Sequence, residues 1–333
     1  MMRYVLLVCC CLAGTVLGED VSVVDFGAVP DGKTLATVSL QNAIDHCSST
    51  GGGTVTVPPG TYLTHTVRLK GGVNLHLRKG AVILGDTEPA AFDQAVILGD
   101  HIEDAAITGL GTINGQGFAK FFPKNGRRHN DVRLVGCRNV VVEDVTMLNA
   151  PSWVFRILEC DGVMVRGVRI YSYANQNNDG IDIDAKNVVV SDCIVDCEDD
   201  AICLKSDNPD FLVENVAITN CIAASNCNAI KFGTSSKGGF KNIAISNCVL
   251  RRPSEAAKIP PRSTLQGCDT DTIMEAFKPN EEPDDAYSVI GLAGATPSAT
   301  AATGDAYQPA PAAGTGPAER ASPGIGPGGG GVW

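Results

Sequence analysis

The stretch 187–195 reads NVVVSDCIV, and four others align with it: NVVVEDVTM from Asn139, GVMVRGVRI from Gly162, NVAITNCIA from Asn215 and NIAISNCVL from Asn242. Their first residues are spaced 23, 25, 28 and 27 apart. Stacking them gives columns of like on like. Val140, Val163, Val188, Val216 and Ile243 form one; Val142, Val165, Val190, Ile218 and Ile245 the next. Then come Val145, Val168, Cys193, Cys221 and Cys248, followed by Met147, Ile170, Val195, Ala223 and Leu250. Within each repeat the alternation has period two, which is strand and not helix. A period in the twenties built from short strands argues for an all-β, right-handed, single-stranded parallel β-helix. The hand follows from the crossover rule for parallel strands. Leucine-rich repeats share the period but carry an LxxLxL signature that is missing here.

Working outward, the same alternation reaches back to about Val67, as in VRLKGGVNLHLRKGAVILGD, with strands of four or five residues expected between Gly, Asn and Asp turns. Before it, VSVVDFGAVPDGKT and GGGTVTVPPGTYL read as strands, and Ser39–Cys47 as a short amphipathic helix with Leu40, Ala43 and Ile44 on one side. A helix placed there would cap the open end of the stack. Residues 1–18 carry a basic start, an apolar core and small residues before Glu19, the pattern of a signal peptide. The apolar run is too short to span a bilayer. The expected product is secreted, with the β-helix over 19–253. The remainder, 254–333, is Ala/Pro/Gly/Thr-rich and unpatterned, and is expected to be a disordered tail that leaves the last coil open.

The net charge of −11 is wrong for a nucleic-acid partner, which requires a basic face. The cysteines outside the leader are Cys47, Cys137, Cys160, Cys193, Cys197, Cys203, Cys221, Cys227, Cys248 and Cys268. Several fall in register with the repeat, so they are expected as small apolar residues inside the coils. Zinc ligation would require CxxC-type clusters with nearby histidine. The histidines stand at 46, 65, 76, 101 and 129, upstream of these columns.

The candidate chemistry lies between Asn177 and Lys205, in NNDGIDID and CEDDAICLKS. The segments IDID (181–184), ICLK (202–205) and IKFG (230–233) align, with Ile181, Ile202, Ile230 and then Ile183, Leu204, Phe232 pointing inward. Just before them stand Asp179, Asp200 and Asn228 in one column, with Asn178, Asp199 and Cys227 preceding them. Adjacent coils lie about 4.8 Å apart. Asp179, Asp199 and Asp200 would then share one patch on the outer, solvent-facing side of a sheet. Repulsion among three carboxylates raises the pKa of at least one, giving a proton donor beside an acceptor. Glycosidic cleavage requires that pairing. Solvated turn aspartates or a Ca²⁺ site fit the spacing as well. Lys205 and Lys231 lie on the outer side of the same sheet and could supply cations, or be solvated surface lysines. Trp153 is a candidate sugar platform or a half-buried aromatic. Arg127-Arg128-His129 reads as a polar loop at the edge of a groove. Asn177 is expected to close the turn presenting Asp179.

NNDGIDID, EDDAICLKS and the NVxIxNC coils resemble glycoside hydrolase family 28, the polygalacturonase family. Its Asn-Thr-Asp segment and the following Gly/Gln-Asp-Asp segment are matched by Asn178-Asp179 and Asp199-Asp200. The resemblance implies hydrolysis of α-linked galacturonan with inversion, by a monomer acting on pectin-like polysaccharide, with no metal or organic cofactor and no membrane partner. It implies Asp199 as general acid, with Asp179 and Asp200 positioning and deprotonating water; beside these, Asn178, Asn228, Lys205, Lys231 and Trp153 are read from their positions as candidate substrate contacts. Two family segments are absent. The His of Gly-His-Gly falls at Asn228, and no Arg-Ile-Lys follows. A polysaccharide lyase on the same fold, or a non-catalytic carbohydrate-binding β-helix, are the rival readings.

Overall fold

The structure is a computed structural model that describes residues 18–251 and 253. The expected leader up to residue 17, the tail from 254 and Cys268 lie outside the described residues.

Parallel strands wind into a β-helix with two sheets, one of 14 strands and one of nine. Each late coil contributes two segments to the larger sheet and one to the smaller. Thus Ile202–Ser206 and Val213–Thr219 both pair with Ile181–Ser191, while Ile222–Ser225 continues the nine-stranded stack. The register matches the aligned columns. Val140 pairs with Val163, Val163 with Val188, Val188 with Val216, and Val216 with Ile243. Met147, Ile170, Val195, Ala223 and Leu250 line up in the smaller sheet. Cys193, Cys221 and Cys248 are buried between the sheets as free thiols, and Cys137 donates its backbone N–H to the sulfur of Cys160 at 3.3 Å. The core is a file of aliphatic side chains, each worth about 1.5–3 kcal/mol when fully buried.

The cap is the helix Thr37–Ser49, longer at both ends than the predicted Ser39–Cys47. It buries Leu40, Ala43, Ile44 and Cys47 against the strands Gly53–Val57 and Val73–Leu77. No helix among the described residues is long and apolar enough to cross a membrane.

Two expectations fail. Strands do not all stop at four or five residues: Phe155–Arg166 has 12 and Ile181–Ser191 has 11. At their corner Glu159 takes a positive φ of 51°, and a register shift between Leu158 and Cys160 lets the chain bend without breaking the ladder. Phe232 pairs with Leu204 as aligned, but it is 47% exposed rather than inward. It stands in the last described coil and leans edge-on against Phe240, ring centres 5.3 Å apart.

The Asn or Gly that starts each repeat has a backbone reason. Asn139, Gly162, Asn187, Asn215 and Asn242 all have φ between 51° and 73°, a left-handed region that asparagine tolerates and β-branched residues do not. Asn215 donates to Asn187 Oδ1 at 2.9 Å, and Asn242 to Asn215 Oδ1 at 3.0 Å, so the corner is also a side-chain ladder. A second left-handed column, Asp144, Gly167, Asp192, Asn220 and Asn247, sits five residues on. Replacing Asn215 with valine is therefore expected to destabilise the chain by about 2–3 kcal/mol, combining left-handed strain with a broken ladder. Urea unfolding checks this, and Asn215→Gly should cost clearly less.

Candidate active site

Aspartates 179 and 200 occupy one column because the coils that carry them are in register. Val154 N–H donates to Asp179 O, Gly180 N–H to Asp200 O, and Ala201 N–H to Asn228 O, each at 2.8 Å. Trp153, Asp179, Asp200 and Asn228 thus follow one another up the stack, about 4.8 Å per step. Asp199 sits beside this column, and its Oδ1 caps the backbone N–H of Asp200 at 2.9 Å.

The turn presenting Asp179 is pinned from several sides. Asn177 has a φ of 57°, as expected for the residue that closes it. Arg128, placed at sequence level in a polar loop, donates to Gln176 O at 2.7 Å and Asn177 Oδ1 at 3.0 Å. Its neighbour His129 also stands in that loop, just before the strand Asn130–Val135, but it does not face solvent. It is buried and stacked on Phe92, ring centres 3.6 Å apart. Asn178 was a candidate substrate contact, but it is fully buried. Its amide donates to Ala150 O at 2.7 Å and Ser152 O at 2.8 Å, and its carbonyl accepts from Asn175 N–H at 3.0 Å. With those partners it holds the turn and has nothing left for a sugar.

The outer face is less open than expected. Asp179 is 3% exposed and Asp200 2%, while Asp199 is half-buried. Both lysines pair with these aspartates; Lys205 is buried, whereas Lys231 is half-buried. Lys205 is buried, with Nζ 2.9 Å from Asp179 Oδ2, 3.1 Å from Asp182 Oδ1 and 3.3 Å from Cys203 Sγ. Its ammonium also lies 5.1 Å from the centre of the half-buried Trp153 ring, whose neighbouring cation is Arg156 at 5.2 Å. Lys231 reaches Asp200 Oδ2 at 2.8 Å, and Asn228 donates to Asp200 Oδ1 at 2.7 Å. Asn228 is thus oriented by Asp200. Among the described residues, Asp199 has no lysine or arginine within ion-pair reach; its side-chain neighbour is Asn177 Nδ2 at 3.4 Å.

Burial shapes the titration of this cluster. It raises Asp179 above the ordinary carboxylate range, with Lys205 opposing and Asp199 and Asp200 adding to the rise. Burial, and then the charge of Asp179, pushes Asp182 up to about 7. Burial disfavours the Lys205 ammonium, yet the Asp182 and Asp179 carboxylates outweigh it and the pKa rises. Lys231 is raised by its hydrogen bond to Asp200.

Two groups have donor atoms close enough for a cation: Asp179, Asp182 and Cys203, and Asp199, Asp200 and Cys227. In the first, Lys205 Nζ already contacts all three side chains, so an ammonium fills the position. In the second, Lys231 and Asn228 occupy both oxygens of Asp200.

Sequence reasoning missed Asp182, Arg156 and Asp184. Arg133, Arg156, Asp182, Cys203 and Lys231 form an outward column, one in from Ile181. Arg156 is buried and donates to Asp184 Oδ2 at 3.4 Å and to Asp207. The alternation in IDID was the available signal: whatever flanks an inward isoleucine faces outward.

The class the geometry defines is a parallel β-helix that carries three aspartates and two ion-paired lysines on one sheet face. Residues 47–259 match the model of the glycosyl hydrolases family 28, and the chain belongs to that family. It is 30% identical over 260 residues to a probable polygalacturonase of Arabidopsis thaliana, covering 74% of this chain and 54% of the relative. It is 28% identical over 201 residues to a probable rhamnogalacturonase E of Aspergillus oryzae, covering 59% of this chain and 45% of that protein. The exopolygalacturonase of Thermotoga maritima superposes with a TM-score of 0.64 at 25% identity, covering 70% of this chain and 68% of that one. The chain spans about half the length of these curated relatives.

Proposed function

We propose that the protein is an exported glycoside hydrolase that cleaves pectin-like polysaccharide with inversion. Asp199 is the general acid, and Asp179 and Asp200 hold and deprotonate the attacking water. The observation that carries this reading is the placing of the lysines. Asp179 and Asp200 each have an ammonium, at 2.9 and 2.8 Å, and Asp199, the most exposed of the three, has none among the described residues. A carboxylate beside an ammonium favours its charged form, as a base must. The carboxyl without one is suited to carry a proton to the leaving oxygen. As the bond from water to the anomeric carbon forms, the glycosidic bond breaks. The water proton passes to the base, and the Asp199 proton to the leaving oxygen.

The same contacts bear on the sugar. Lys205, Lys231 and Arg156 each already hold a carboxylate of this chain, and Asn228 carries no charge. A uronate at the cleaved bond would meet cations that are committed elsewhere. One neutral sugar at the cleaved bond suits the site better than two uronates, which favours rhamnogalacturonan, where galacturonate alternates with neutral rhamnose. Trp153, one coil before Asp179, is placed to stack on a sugar ring. A lyase reading fits poorly, because a lysine base must lose its proton and both lysines here are raised by their aspartates.

Digestion of rhamnogalacturonan and polygalacturonate, with reducing ends and ultraviolet absorbance followed in parallel, tests the reading. New reducing ends without absorbance, faster on rhamnogalacturonan, are expected. Growing absorbance would make the protein a lyase. Binding without turnover would make it a carbohydrate-binding β-helix.

A further inference from the structure

One ammonium, Lys205, lies between two buried carboxylates, Asp179 and Asp182, and cannot balance both. Three observations decide which of them it serves. Lys205 Nζ makes an aligned hydrogen bond to Asp179 Oδ2 at 2.9 Å. It lies 3.1 Å from Asp182 Oδ1 but out of line for a full hydrogen bond, and no other donor among the described residues reaches either oxygen of Asp182. Asp182 is also sealed from solvent, at 0% exposure. Arg156, its neighbour in the strand ladder, turns its guanidinium to Asp184 and Asp207 instead. A carboxylate with no donor and no water is far costlier to ionise than one that accepts a charge-assisted bond.

Building on the hydrolase reading, we propose that Lys205 is a positioning residue for hydrolysis: its ammonium is committed to Asp179, keeping that carboxylate charged with one oxygen tied back and the other left for water, while Asp182 beneath retains its proton. Lys205 then is not a sugar contact. Trp153 lies against the ammonium, its ring centre 5.1 Å from Nζ. The charged and titratable groups facing the pair are Asp182 on the strand following Asp179, Asp199, Asp200, Glu198, Cys197 and Cys203 from the next coil, Arg156 from the coil before, and Lys231 from the coil after. Asp199, Asp200 and Glu198 are carboxylates, so without Lys205 the charge on Asp179 would have to form among like charges in a buried setting.

The test is the pH dependence of kcat/KM for the wild type, Lys205→Met, Lys205→Arg and the double variant Lys205→Met/Asp182→Asn. The acid limb reports the base in the free enzyme. In Lys205→Met it is expected to move up by more than about one pH unit, a loss of roughly tenfold or more below the limb, with KM little changed. Lys205→Arg should return the limb most of the way. In the double variant the limb should stay raised, because the cation of Asp179 is still missing. A limb that does not move in Lys205→Met overturns the proposal. A limb restored by adding Asp182→Asn also overturns it, since Lys205 would then serve only to neutralise Asp182. Lys205→Gln carries the same test should the methionine variant not fold. The carboxyl resonance of Asp179 in ¹³C-aspartate-labelled protein, identified by its loss in Asp179→Asn, reads the same quantity without turnover. If the wild type cleaves neither pectin substrate, the hydrolase reading fails. The proposal then stands on whether that resonance titrates higher in Lys205→Met, and falls if it does not.

Discussion

With Asp199 as the proposed proton donor, Asp199→Asn is expected to lower kcat by about 10²–10⁴-fold, with KM and melting temperature close to those of the wild type. The side chain is half-buried, and its structural bonds are few: Oδ1 accepts from Asp200 N–H at 2.9 Å and Oδ2 from Asn177 Nδ2 at 3.4 Å. An asparagine carbonyl can keep the first of these, so the turn survives. The glycosidic oxygen would have to leave as an alkoxide, which is why the loss falls on kcat. A substrate with a leaving group that needs no proton should recover most of the rate in Asp199→Asn. Asp200→Asn should behave differently, because it also strips Lys231 and Asn228 of their common partner at 2.8 and 2.7 Å. A loss of melting temperature accompanies the loss of rate there. Initial rates with natural and activated substrates separate the two cases.

The second large effect concerns stability. His129 is buried with neither ring nitrogen hydrogen-bonded among the described residues, stacked on Phe92 and edge-on to Phe122 at 5.0 Å. Burial lowers its pKa from 6.5 to about 3. The unfolded chain binds a proton at this residue from pH 6.5 downward, whereas the folded chain does so only near 3. The contribution of neutral His129 is therefore complete above pH 6.5 and is lost as pH falls toward 3, by up to about 1.4 kcal/mol per pH unit. At pH 4.5 the loss approaches about 2.7 kcal/mol. His129→Phe keeps an aromatic ring in the Phe92–Phe122 cluster and removes the titration. Urea unfolding between pH 7 and 4 should show the wild type losing stability relative to His129→Phe over this range. Buried Asp131, whose carboxyl is raised well above its ordinary value by burial, acts with the opposite sign and is common to both proteins. The difference between them therefore isolates His129.

Much of this was legible from the repeat. The alignment of Asn139, Gly162, Asn187, Asn215 and Asn242 placed the core columns in their observed register, because a stacked coil can bury its strands only if like positions coincide. It also placed Asp179, Asp200 and Asn228 in one file. What it could not show was depth. Alternation says which face of a sheet a side chain leaves from, and nothing about what covers it afterwards. Lys205 does leave the outer face as expected, yet it is buried, with Trp153 from another coil against it. Asn178 was read as a sugar contact because it neighbours Asp179. Its amide is instead used by Ala150 and Ser152 of the preceding turn, partners distant in sequence. Asp182 went unnoticed because the run IDID was scored for its isoleucines. His129 does lie in the loop that the polar triplet suggests, and only the fold brings Phe92 and Phe122 around it.

The account rests on an inverting carboxylate site, and the anomeric form of the first product is its most direct test. Proton NMR in the first minutes of digestion of an α-linked pectin substrate resolves the new reducing end before it equilibrates. The β anomer appearing first, with no product from Asp199→Asn, is the result expected. The α anomer first, or an unsaturated product, would contradict the roles given to Asp179, Asp199 and Asp200.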